Sequence, residues 1–141
     1  MDIRALTDDY AVSPQIAPSD LVALKVAGFT TVIDNRPDGE IADDLAAAEM
    51  QRAAEALGLV FVINPLIPGS FTDRNITVQA EACAQAAGPV FAYCASGNRC
   101  SVIWAMMLAG KMPVDQLIAI PARFGYRLDH LRPTLEALAG R

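Results

Sequence analysis

The sequence predicts an α/β domain with a mainly parallel central sheet and helices on both faces. Two observations carry this. Short apolar runs at 30–34, 59–63 and 89–93 alternate with stretches of helical periodicity, the pattern of parallel strands joined by crossover helices. The last run passes through a small-residue loop into a helix that is apolar nearly all round, which belongs in a core. In such sheets ligands bind beyond the C-terminal ends of the strands. Three loops should collect there: 34–40, 64–71 and 94–99.

Tyr10 to Ser13 reads as a short strand, placed at a sheet edge because Pro14 follows. Pro18 suits a first helical turn, Leu21 and Leu24 mark a buried side, and Gly28 ends that helix. Thr30 to Asp34 (TTVID) is β-branched and reads as a buried parallel strand. A helix over about Asp43 to Leu57 opens on acids that complement its dipole and closes at Gly58. Leu59 to Ile63 is the next strand. Thr72 then caps a helix in which Ile76, Ala80, Cys83, Ala84 and Ala87 share a face, making Cys83 structural. Pro89 to Tyr93 follows a Gly-Pro break as a buried strand, and Ser101 to Ala109 as a core helix. Lys111-Met112-Pro113 ends that helix and starts another through Ile120. Phe124-Gly125-Tyr126 is a turn, and Pro133 to Ala139 a final helix.

The chain of 141 residues, 53% hydrophobic and 19% charged, is read as one domain spanning 1–141 with a real core. No apolar run is long enough to span a bilayer, and the polar start MDIRALTDDY is not a signal peptide. Net charge is −5 with scattered Lys and Arg, which argues against nucleic acid or an anionic membrane as partner. Three cysteines without metal-ligand spacing and a single histidine argue against a disulfide framework, a metal site or a cofactor. They suit a reducing cytoplasm.

Cys94-Ala95-Ser96-Gly97-Asn98-Arg99 lies between strand and helix. A strand, a loop containing glycine and a helix N-terminus form an anion site, with backbone N–H groups turned inward. The N–H groups of Ala95 to Arg99, the helix dipole and the Arg99 guanidinium should lower the Cys94 pKa. They could equally hold a bound oxyanion, with Arg99 as a two-point clamp. Cys94 and Arg99 are therefore the candidate catalytic residues. Arg36 and Asp38, in the loop at 34–40, are candidates for the opposite lip of the site, or simply a turn held by Asp38. Cys100 and Ser101 are candidate accessory groups. His130 has no partner pattern and is read as surface polar.

These residues resemble a known family. Ala11-Val12-Ser13-Pro14-Gln15, Ala27-Gly28-Phe29, Asn35-Arg36-Pro37-Asp38-Gly39-Glu40 and Cys94-x-Ser96-Gly97-x-Arg99 look like the phosphatase-like domain of beta-lactamase-hydrolase-like proteins. The Trp104-Ala105 pair and Gly125-Tyr126 also fit. The resemblance covers essentially the whole chain. It implies a cysteine-phosphatase-like, dual-specificity-phosphatase fold, in a family with members treated as sulfurtransferases as well as phosphatases. Three departures stand out. Tyr93 replaces the usual His before the nucleophile, and Cys100 replaces the usual hydroxyl residue after the arginine. The loop from Asn64 to Phe71 carries no carboxylate, where related phosphatases place a general acid.

The loop also has one residue fewer between Cys94 and Arg99 than cysteine phosphatases have, and so resembles a rhodanese-type loop around a persulfide. Sulfur transfer needs a good thiolate but no acid for a leaving alkoxide. Phosphoester cleavage does need one. On sequence alone the expected activity is thus a Cys94-persulfide sulfurtransferase, with thiosulfate or a low-molecular-weight persulfide as donor. A persulfide-oxidising enzyme is then a candidate partner. A phosphatase acting on a phosphoester through phosphocysteine is the alternative, and a non-catalytic anion or redox sensor the third reading.

Overall fold

The computed structural model describes residues 1–141. It folds them around five strands: Arg4–Thr7 (β1), Tyr10–Ser13 (β2), Thr31–Asp34 (β3), Val60–Ile63 (β4) and Val90–Tyr93 (β5). Their order across the sheet is β1-β2-β5-β3-β4, with β1 antiparallel to β2 and every other pairing parallel. β5 stands in the middle and is buried at every position, as a strand covered on both faces must be. The loop leaving its C-terminal end is therefore flanked by the chain leaving β2 on one side and β3 on the other.

Alternation along the strands divides the core in two. Ile33, Val90 and Ala92 face one way, into a cluster with Cys94, Cys100 and Trp104. That side is covered by Asp73–Gln85 (α3), Asn98–Leu108 (α4), Val114–Ala122 (α5) and Arg132–Ala139 (α6). Val32, Phe91 and Tyr93 face the other way, against Leu21 and Leu24 of Leu21–Val26 (α1) and Met50 and Ala54 of Ala47–Ala56 (α2). Helix α4 is buried from Cys100 to Ala105, which is why its sequence shows no polar face. None of the helices is long and apolar enough to cross a membrane.

Four expectations are corrected. Tyr10–Ser13 is interior, because β1 pairs along its outer side. The polar sequence of β1, with only Leu6 buried, hid that edge strand, since one buried side chain leaves no periodicity to read. The helix expected from Asp43 is split: Asp43–Leu45 is a separate 3-10 turn, and α2 begins at Ala47. Helix α4 begins three residues earlier than Ser101, at Asn98, with Gly97 as its N-cap. Finally, α3 is rotated from the predicted face. Ala84 and Ala87 are exposed, whereas Gln79 is fully buried and Ala82, Cys83 and Ala86 pack on the core. The inner face has a glutamine at its centre, which an apolar-periodicity argument passes over.

Candidate active site

Gly97 shapes the loop. Its φ of +95° is in the left-handed region, open to glycine at little cost, and a Cβ there would lie 2.2 Å from the Tyr126 hydroxyl. This turn aims the Gly97 N–H at Cys94 Sγ, 3.1 Å away. Cys94 is fully buried, yet its thiol is pulled down to about 5. The Cys100 thiol donating to the sulfur contributes most, and the N–H groups of Cys100, Ser96 and Gly97 add to it against the cost of burial. Cys100 therefore sits against the Cys94 sulfur. Its own thiol is pushed up, by burial first and then by the neighbouring Cys94. Ser101 donates instead to the Gly97 carbonyl at 2.9 Å and braces the turn. Ser96 Oγ accepts from the Asn98 N–H at 3.2 Å. Ala95 contributes its carbonyl, which accepts from the Gln15 N–H at 3.4 Å and ties the loop to the segment after β2.

Arg99 is set in place by two groups. Its guanidinium donates to both oxygens of Glu40 at 2.8 Å and to the Leu66 carbonyl at 2.9 Å. Glu40 is held below the usual carboxylate range chiefly by Arg99, with Arg36 assisting. Arg36 reaches Glu40 through Nε at 3.2 Å and Gln15 Oε1 through Nη1 at 3.3 Å. Arg36 thus shares Glu40 with Arg99. Asp38 Oδ1 accepts the Ala47 N–H at 2.9 Å and so satisfies the first turn of α2, a local role like the turn-holding one offered as its alternative. Glu40 is the site group that sequence reasoning missed. It lies four residues after Arg36 in the same loop, and that pairing of charges was the available signal.

Beneath the loop lies a buried amide cluster. Gln79 Oε1 accepts from Asn35 Nδ2 at 2.9 Å and Asn64 Nδ2 at 2.8 Å. Its Nε2 donates to Asn35 Oδ1 and to the Tyr10 hydroxyl, both at 3.0 Å. The Tyr10 hydroxyl donates onward to the Cys100 carbonyl at 3.0 Å. The ends of β3 and β4, helix α3 and the start of α4 are thereby held in one register. A second strap runs over the loop: Arg4 donates to Tyr126 Oη at 2.6 Å, and Tyr126 donates to the Ser96 carbonyl at 2.7 Å. On the opposite face, Asp34 Oδ1 accepts the Arg36 N–H, while Asp34 Oδ2 and Tyr93 Oη have no partner. Burial lifts Asp34 to about 6 and pushes Tyr93 well up, with the Asp34 carboxylate adding to it. Cys83 takes no part in these hydrogen bonds, and burial raises its thiol to about 11. No group of acids, cysteines and histidine is placed to hold a metal.

A low-pKa sulfur at a glycine turn and helix N-terminus, with an arginine fixed beside it and a parallel sheet below, defines a cysteine-phosphatase-like α/β protein. The chain belongs to the beta-lactamase hydrolase-like protein, phosphatase-like domain family, whose model matches residues 2–111. A beta-lactamase hydrolase-like protein of Xylella fastidiosa (strain 9a5c) is 28% identical over 99% of this chain. The chain spans about a third (33%) of that relative's length. Among solved structures, a candidate phosphatase from Neisseria meningitidis Z2491 is 30% identical, with a TM-score of 0.84 over 98% of this chain and 99% of that one. Tk-PTP in its active form is 14% identical with a TM-score of 0.74, over 99% and 97% of the two chains, a likeness of fold alone.

Proposed function

We propose that the protein is a cysteine-dependent phosphoric monoester hydrolase acting on a small anionic substrate. The observation that carries this is the Cys94 thiol held at about 5 within a loop whose N–H groups and fixed arginine can receive phosphoryl oxygens. The likeness to phosphatase structures supports it. Cys94 thiolate attacks phosphorus, an S–P bond forms as the P–O bond breaks, and water then releases phosphate from the sulfur. Arg99, already oriented by Glu40 and Leu66, and the loop N–H groups take the oxygens throughout.

This reverses the order suggested by sequence, where the short loop and the absent acid put sulfur transfer first. Both features remain, and they keep sulfur transfer through a Cys94 persulfide as the second reading. The two are separated by measuring aryl phosphate hydrolysis and thiosulfate-to-cyanide sulfur transfer on the same preparation, with Cys94→Ser as blank. Hydrolysis should be Cys94-dependent and should rise with pH through about 5 as the thiolate forms. Uptake of one sulfur by Cys94 without hydrolysis would establish the second reading.

A further inference from the structure

When a phosphate ester breaks, the departing oxygen needs a proton unless its own group stabilises the charge. No carboxylate lies between Asn64 and Phe71. None of the acids nearest the loop lines the space beside it: Glu40 is held by Arg99 and Arg36, Asp38 accepts the Ala47 N–H, and Asp34 is buried. Beside the loop there is a cavity of about 470 Å³. Its lining includes Pro68, Phe71, Asn98, Arg99, His130 and Leu131. The segment carrying His130 is anchored at the loop, because Tyr126, four residues earlier, donates to the Ser96 carbonyl at 2.7 Å. His130 itself is exposed, so it is free to meet a ligand in that space. The cavity thus brings an arginine, a histidine and apolar side chains to one lining, which suits a phosphoester with an apolar leaving group.

We infer that this cavity receives the leaving group and that His130 gives the proton to its departing oxygen, an inference that rests on the hydrolase reading. In the first step the P–O electron pair goes to the leaving oxygen, which takes a proton from the imidazolium while sulfur bonds to phosphorus. In the second, the neutral imidazole takes a proton from the attacking water as the S–P bond breaks, returning the Cys94 thiolate and inorganic phosphate. The surface residue of the sequence reading becomes a catalytic one. It lies beyond residues 2–111, the part that matches the family model.

The test compares p-nitrophenyl phosphate, whose leaving group needs little help, with phenyl phosphate, whose leaving group needs more. His130→Gln should lower kcat on phenyl phosphate by about 10²-fold and on p-nitrophenyl phosphate by less than about threefold. Equal losses on both substrates, or none, with turnover still abolished by Cys94→Ser, would overturn the assignment and leave the hydrolase reading standing. If the wild-type protein turns over neither substrate in a Cys94-dependent way, the hydrolase reading fails and the inference with it.

Discussion

On the face of the sheet covered by α3 to α6, the polar groups below the loop close on one another through Gln79, Asn35, Asn64 and Tyr10. On the α1 and α2 face, at the same level of the strands, Asp34 and Tyr93 end in buried oxygens with no partner. Both sets sit under the same six residues. The partnered set fixes the spacing of three loops, because a buried amide network has essentially one good arrangement. Asp34 and Tyr93 act on each other without a well-formed hydrogen bond, and so carry the cost of burying polar atoms with little return. The contrast separates what the site needs from what it tolerates.

It can be broken at its tightest point by Gly97→Ala. A side chain at φ +95° must also displace the Tyr126 hydroxyl, so stability should fall by about 3 kcal/mol in urea unfolding, with turnover lost as well. Gln79→Leu should cost about 2 kcal/mol, because Asn35 and Asn64 lose buried partners. It should also slow turnover by loosening the strap from Tyr10 to the Cys100 carbonyl. A neutral result there would undo the comparison.

The other face should respond with the opposite sign. Asp34 is lifted from 3.8 to about 6, so the folded state favours its protonated form. Below pH 3.8 it is protonated folded or unfolded, and Asp34→Asn should change little. As pH rises through 6 the native protein must ionise a buried carboxyl, and its stability relative to the variant falls. Above pH 7, Asp34→Asn should therefore be more stable by about 1–2 kcal/mol, with the amide still accepting the Arg36 N–H. The smallest effect concerns the sulfur pair. Cys100→Ala removes the main donor to Cys94, so the midpoint of the alkylation rate against pH should move up from about 5. Cys100→Ser, which keeps a donor, should hold it.

Much of this was legible. The β-branched run at 30–34 and the apolar runs at 59–63 and 89–93 gave β3, β4 and β5, and the Gly97 N–H meets Cys94 Sγ within the loop they frame. What escaped shares a physical reason. β1 buries one residue and so has no alternation. Gln79 is polar and so was not sought at the core, and the partner of Arg99 depends on a fold that brings residue 40 to residue 99. Of the two readings left open for Asp38, its bond to the Ala47 N–H is the local, turn-holding kind, and the sequence did not say which neighbour it would serve. Pairings across long sequence separation are set by topology, which spacing does not encode.

The double hold on Arg99 changes when an entropic cost falls due. An arginine loses about 2 kcal/mol of rotamer freedom when it is fixed in one geometry. Here Glu40 and the Leu66 carbonyl impose that geometry before any anion arrives, so the loss belongs to folding. An oxyanion entering the loop meets a guanidinium with its orientation already chosen, and calorimetry of inorganic phosphate binding should show a smaller entropic penalty than in Glu40→Gln.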